Sequence, residues 1–457
     1  MGFANIHDVL VMDNKENIYS FYLYKNKIKM ILYDKNTEKA TKNTIINDCL
    51  DEYDSAISKD GRVYLVCQRI DGSIVLVSIE GYRKEEHILA DEFDAKLRNI
   101  NIKLIGEQIH IIYCIESNEA KNKFRVYHHS LINEKWETHV VSDITIGDFL
   151  NPISIIELGD MLVVGYSDKV DNIEQVFIST YDQDGDKWSD KIQLTTDNSM
   201  KMYLDMLGNN NKIDLCYSKL IEGNFVVTHE KYSILNGEAT RVVEHGLSNP
   251  ANCMYPTLIQ SSETLWTIWI EYNGLISCFS EDGGLTWSTP YSWEDSKKDD
   301  FARYKFSTNN SGIIDDYNFN YGFATYGENT SFIGFGDIEN AVEVPIKSEI
   351  KKKEDKGDIE NMENMLDIEK NKIEDSVMTG REIKEKIPLD QSKEIQERVT
   401  IIEQALKTIS EILENKIVDS DFQVQIVYEF KEKIEILEKR VDDIEYFLSK
   451  RRGPLRR

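Results

Sequence analysis

The amino-acid sequence predicts a mainly β protein: a six- or seven-bladed β-propeller, then a flexible charged linker, then a C-terminal α-helical coiled coil or helical hairpin. Three observations carry this. Pairs of short apolar strands recur through residues 1–342 at intervals of roughly 40–50 residues, the length of a four-stranded blade. From about Val342 the composition turns to Lys, Glu, Asp and Asn, and residues 347–390 hold no aromatic side chain. From Ile395 apolar residues return at heptad spacing.

Each repeat opens on alternating apolar runs broken by Gly, Asn and Asp turns, the pattern of strands joined by hairpins. Examples are Val63–Gln68, Ile109–Glu116, Met161–Tyr166, Ile213–Tyr217 and Leu265–Glu271, each followed after a polar turn by a second apolar strand. Units begin near residues 5, 52, 98, 150, 201, 253 and 301, and the last is incomplete. The ring therefore has seven blades, or six if the terminal strands combine to close it. Cys67, Cys114 and Cys216 fall at equivalent strand positions, where free Cys acts as a small buried apolar residue. The six cysteines stand singly, without a CxxC pair, so neither a disulfide framework nor a structural zinc site is expected. No cofactor is expected either.

At the tail of the sixth unit stands Ser280-Glu281-Asp282-Gly283-Gly284-Leu285-Thr286-Trp287. It matches the Asp-box pattern S-x-D-x-G-x-T-W at Ser280, Asp282, Gly284, Thr286 and Trp287. A faded copy, Gln183-Asp184-Gly185-Asp186-Lys187-Trp188, lies in the fourth unit, and Trp136 alone survives in the third. On these residues the first part of the chain resembles the sialidase-like (BNR/Asp-box) β-propellers; the C-terminal part does not. The physics of the motif is structural. Asp282 is suited to accept turn N–H groups, the paired glycines to adopt backbone angles that other residues resist, and Trp287 to fold beneath the hairpin. The resemblance implies that this hairpin joins the third and fourth strands of a blade, on the face opposite a sialidase active site.

The resemblance also implies a test for catalysis. Sialidases hold their acidic sugar with three arginines, whose planar donors engage both carboxylate oxygens. They add a tyrosine nucleophile with its glutamate, and an acid/base aspartate. Here the family's F/Y-R-I/L-P motif is absent, and arginines are few in the repeat region: Arg62, Arg69, Arg83, Arg98, Arg125, Arg241 and Arg303. No catalytic residue is carried over. The expectation is a non-catalytic binding or scaffold propeller, with a divergent glycoside hydrolase of sialidase-like type as the alternative. Inner-strand starts and second-strand ends border one rim of a propeller channel. That places Tyr53, Asp54, Arg98, Asn99, Asn151, Asp205, Tyr255 and Arg303, with Arg69 and Glu271 nearby, as candidate contacts for a carbohydrate or protein ligand. The aromatic-rich runs 301–306 and 318–323 read as strands of the last blade.

The linker (343–392) is too charged to bury a core and reads as a tether. In 393–452 the seam Val399, Leu406, Leu413, Val427, Ile434, Val441 and Leu448 alternates with Ile395, Ile402, Ile409, Phe430, Leu437 and Ile444. Such a seam predicts homo-oligomerisation through 395–448, or a hairpin turning near Asp419-Ser420-Asp421. Several propellers on one stalk would gain avidity. A net charge of −27 repels phosphate backbones, so nucleic acid is not an expected partner. No apolar run is long enough to span a bilayer, so no membrane insertion is expected. The N-terminus lacks a secretory pattern, which reads as cytoplasmic, compatible with later incorporation into a particle or surface layer.

Overall fold

The computed structural model describes residues 3–346 apart from 82, 92–94, 107, 118–119, 121, 133–134, 148, 160, 184, 186, 210, 236 and 326–329. The expected coiled coil and the linker beyond 346 lie outside the described residues. Among those described, no helix is long and apolar enough to cross a membrane.

Six sheets follow one another along the chain as the blades of a β-propeller. Their inner strands are Phe3–Met12, Cys49–Ile57, Leu97–Ile105, Ser154–Leu158, Lys201–Asn209 and Met254–Ser261, packed side by side around the centre. Blade 2 shows how sequence sets layer. Val63–Arg69 and Ile74–Glu80 are near-continuous apolar runs and are buried along almost their whole length between the neighbouring blades. The outer strand Arg83–Ala90, with its Arg-Lys-Glu-Glu-His, is exposed, and its charges blunt an otherwise open edge. The six cysteines are free and buried, as small apolar residues.

The seventh unit does not form a blade. Phe301–Thr308 runs parallel to Phe3–Met12, with Leu10 opposite Phe306, and Tyr321–Thr325 pairs antiparallel with Phe301–Thr308. Both strands lie inward of blade 1, so the central channel is filled by a hairpin of the chain itself. A short helix, Ser311–Asp316, links them; Asn310 caps it by accepting from Gly312 and Ile313. Phe301, Tyr304 and Phe323 are buried there, which explains the aromatic richness of a segment that the sequence reading assigned to a last blade. The unit lacks outer strands, and its hairpin closes the ring against the N-terminal strand, which gives six blades rather than seven. The chain then returns along the outer edge of blade 6, where Ala341–Glu343 pairs with Tyr291–Trp293.

Candidate functional site

Inner strands all start on one face, and antiparallel pairing puts the hairpins between second and third strands on that same face. In blades 1, 4, 5 and 6 these hairpins turn on Lys25-Asn26, Asp171-Asn172, Glu222-Gly223 and Tyr272-Asn273. All eight central residues have positive φ, as two-residue type I′ turns require.

The channel beneath this face is closed by charge as well as by packing. Asp54 and Asp205, on the inner strands of blades 2 and 5, each use Oδ2 to accept an inner-strand amide of the next blade: Ile102 at 2.9 Å and Leu258 at 3.0 Å. Each also faces a cation of the central hairpin. Lys305 Nζ lies 2.9 Å from Asp54 Oδ2 and donates to Ile100 O at 3.0 Å and Asn101 Oδ1 at 2.8 Å. Arg303 lies 4.0 Å from Asp205 Oδ2, donates from Nε to Thr257 Oγ1 at 2.9 Å, and spreads over the Tyr321 ring at 3.7 Å. Burial pushes the Asp205 carboxyl up to about 6, against the pull of Arg303.

Above the filled channel runs a row of half-buried aromatic rings. Phe149 meets Tyr203 at 5.4 Å between ring centres, Tyr203 meets Tyr255 at 4.4 Å, and Tyr255 meets Phe3 at 5.6 Å. The local backbone holds two of these rings in place. Asn99, Tyr203 and Tyr255 sit in bulges at the starts of their inner strands, with φ of +53°, +62° and +51°. Asn tolerates that region; for Tyr it is strained, and such strain is kept only where surrounding structure imposes it. Part of that imposition is Asn151, whose Oδ1 accepts from Tyr203 N at 2.8 Å and whose Nδ2 donates to Lys201 O at 2.9 Å. Asn99 in turn donates to Asn151 O at 3.1 Å, which links blades 3, 4 and 5 at the rim.

A second feature surrounds the row. At or beside the tips of the second-to-third hairpins stand Tyr24, Ile70, Val170, Ile221 and Tyr272, between 37% and 81% exposed. Blade 3 has Glu116 at this position instead. Single exposed apolar residues are ordinary; five at equivalent points of one face are a pattern.

The residues singled out from sequence thus separate. Tyr255, Asn99 and Asn151 belong to the rim. Asp54, Asp205 and Arg303 belong to the filled channel. Tyr53 is buried, its hydroxyl donating to Phe21 O of blade 1 at 3.1 Å. Arg69 points outward to Glu86 at 2.5 Å. Arg98 acts on Asp51: with Lys96, and against the upward push of burial, it holds that carboxyl low. Glu271 is occupied by the Trp269 indole N–H at 3.3 Å. Sequence reading missed Phe3, Phe149 and Tyr203. A signal for Tyr203 was present, because Asn99, Asn151, Tyr203 and Tyr255 recur at a constant interval of 52 residues.

On the opposite face, the turn at Ser280–Trp287 joins the third and fourth strands of blade 6. Asp282 Oδ1 accepts from Leu285 N at 3.0 Å, Thr286 N at 2.8 Å and Ser280 Oγ at 2.8 Å, and Oδ2 accepts from Thr286 Oγ1 at 2.6 Å. These bonds hold its carboxyl far below the usual range, with the Thr286 hydroxyl contributing most. Trp287 packs into the cluster between blades 5 and 6 and meets His229 edge-on at 4.8 Å. The carboxylate is spent on the turn. Among the described residues, no group of three or more His, Cys, Asp or Glu side chains is placed to hold a metal.

No protein-family profile matches the chain, and no curated protein sequence matches it. Similar solved structures exist. An ulvan lyase of a new polysaccharide lyase family, bound to a GlcA–Rha3S oligosaccharide, is 10% identical over 77% of this chain and 97% of its own, with a TM-score of 0.45. A six-bladed fucose-binding lectin from Aleuria aurantia is 13% identical over 62% and 93%, at 0.37. The WD40 domain of SCAP from fission yeast is 10% identical; the chain covers 62% of it with 60% of its own length, at 0.40. Likenesses this distant assign no ligand or activity to the chain.

Proposed function

We propose that this chain is a non-catalytic binding or scaffold protein whose inner-strand-start face takes a carbohydrate chain. The observation that carries this reading is the row Phe149–Tyr203–Tyr255–Phe3. Adjacent half-buried rings offer the apolar faces of sugars a rigid platform at small entropic cost. The exposed hairpin tips extend that platform, which suits a long glycan rather than a single residue. The channel is occupied by the chain's own hairpin, so the ligand lies across the face.

The Ser280–Trp287 turn supports placing the propeller among the sialidase-like folds. Binding without cleavage is supported by what these carboxylates and arginines are already doing: Asp54 and Asp205 are buried and ion-paired, and Arg69 and Arg303 are engaged by Glu86 and Asp205. Oligomerisation through 395–448, with 343–392 as tether and 1–342 as propeller, completes the proposal and makes weak sites act together.

Glycan-array binding of the full chain tests this, beside Tyr203→Ala and Tyr255→Ala and a hydrolysis assay on the bound glycans and on sialosides. Retained glycan with no product, and about a tenfold loss on removing either ring, supports the reading. Product release points to the hydrolase. Binding that both variants keep at full strength overturns the assigned face.

A further inference from the structure

Two of the six cysteines touch each other. Cys49 Sγ and Cys67 Sγ lie 3.6 Å apart, the one hydrogen-bonding contact between two sulfurs among the described residues. Cys114 and Cys253 meet oxygens instead: Arg98 O at 3.4 Å and Ser248 Oγ at 3.4 Å.

The backbone brings the pair together. Cys49 opens the inner strand of blade 2, and Cys67 lies on the strand beside it. Arg69 faces Cys49 and Cys67 faces Tyr53, so Leu50, Asp51 and Glu52 stand against Gln68 alone. Such a bulge bends its strand and re-aims the side chains around it. Cys49 Sγ also donates to Asn47 O at 3.6 Å, which leaves the Cys67 S–H to donate to Cys49. Both thiols belong to the apolar core between blades 1 and 2.

The pair is sealed, yet close to solvent. Cys49 is 1% exposed and Cys67 0%. Next to them an open cleft of about 590 Å³ is lined by Asn47, Asp48, Arg69, Ile70, Lys84 and Glu86, among others. Asn47 and Asp48 directly precede Cys49, and Arg69 and Glu86 both act on the Cys67 thiol. Contact with Cys49, then burial, push that thiol well above its ordinary range, against the pull of Arg69. The thiolate is the nucleophile in exchange, so the closed pair is inert. It reacts when the bulge opens, or before the ring has closed. The bulge is held by Cys49 N donating to Asn26 O at 2.9 Å and Ile70 N donating to Asp48 O at 2.7 Å.

We propose that Cys49 and Cys67 form a latent disulfide, made by exchange with a small disulfide of the glutathione class, that fastens the start of the blade-2 inner strand to its neighbour. One thiolate attacks the small disulfide and expels one small thiol. The other thiolate attacks the mixed disulfide and expels the second. Two protein thiols and one small disulfide thus give one protein disulfide and two small thiols. The sulfurs close from 3.6 Å to about 2.05 Å, a shift taken up in the irregular bulge. Asn26 is a turn residue of the blade-1 hairpin, so the bond also steadies one hairpin of the candidate face.

The test uses the full chain, equilibrated with glutathione and its disulfide, with and without urea, then acid-quenched, alkylated and peptide-mapped. The folded chain should keep four of its six thiols and yield Cys49 linked to Cys67 as the main pair. The equilibrium constant for that bond should be about tenfold to a hundredfold larger in the folded chain than in urea. By linkage, oxidation should raise the folding constant by the same factor. Cys49→Ser should keep all its remaining thiols; the map of the unaltered protein decides even if this variant does not fold. Six alkylated thiols in the folded chain, a different main pair, or a constant no larger folded than in urea overturns the proposal. None of these results depends on what the face binds.

Discussion

Replacing Lys305 by Met removes the ammonium at the centre of the ring while keeping most of the aliphatic stem. The side chains of Lys305 and Asp54 are 11% and 7% exposed, so water does little to soften the loss. Breaking a buried pair from one side costs about 3–5 kcal/mol, because the other charge is stranded. Here Asp54 keeps two amide donors, Ser55 N and Ile102 N, which moves the expectation toward the lower end. Ile100 O and Asn101 Oδ1 lose their donor as well, at about 1 kcal/mol each. The sum is about 5 kcal/mol. Urea unfolding followed by tryptophan fluorescence is the assay. All six tryptophans, Trp136, Trp188, Trp266, Trp269, Trp287 and Trp293, lie in the repeats, so the signal reports the propeller. Asp54→Asn in the Lys305→Met background should recover part of the loss, and the double-mutant cycle should give a coupling of about 2 kcal/mol. A single-variant cost below about 1 kcal/mol would mean that the central hairpin does not pin the ring, and the account of closure would fall with it.

Other predictions test separate parts of the fold. Asp205 has a folded pKa near 6 against about 3.9 unfolded. It therefore binds more protons folded than unfolded between those values, and its contribution to stability falls by about 3 kcal/mol as pH rises through that window; Asp205→Asn should lose that slope, and equal slopes in both proteins refute the assignment. His110 has the opposite sign. Burial pushes it down to about 4, so it costs stability as pH falls from about 6.5 to 4, by roughly 3 kcal/mol, and His110→Asn should flatten that limb of the unfolding profile. At the blade-6 turn, a Cβ on Gly284 would stand 2.8 Å from His229 Cε1, and φ there is +86°. Gly284→Ala should cost about 2–3 kcal/mol. Gly283→Ala, with φ +68° and open space, should cost only about 1 kcal/mol; the reverse ranking in unfolding midpoints refutes the packing argument.

The blades were legible because each is local: apolar runs, hairpin turns and a strand period all fall within one repeat. Blade number was not, because the contact that decides it joins residues near 5 and near 305. Phe301–Thr308 reads as a strand in any arrangement; nothing in its own residues says that it will lie inside the ring. The same long reach hid the site. Asp54, Asp205 and Arg303 were read as ligand contacts at the channel mouth, but the sequence does not show that the chain itself fills the channel, where Asp54 meets Lys305 and Asp205 meets Arg303. Tyr255, Asn99 and Asn151 were found at the rim, whereas Tyr203, at the same interval, was passed over. Its placement depends on a bulge and a positive φ, and tyrosine gives no local hint of either, while asparagine does.

A filled channel changes what kind of binding this propeller can do. An open channel mouth is a socket: it selects a compact ligand by enclosing it, and polar side chains converge on one point. Here the converging side chains are neutralised from within by Lys305 and Arg303. What remains outward is a shallow row of rings and a wider circle of apolar tips. Such a surface encloses little and orients little, so each contact is weak and the footprint is broad. A weak, broad site becomes useful when several act together, and the apolar heptads at 395–448 carry the oligomerisation proposed above. The face and the heptad segment therefore make sense as one proposal: the first sets what is bound, the second how firmly.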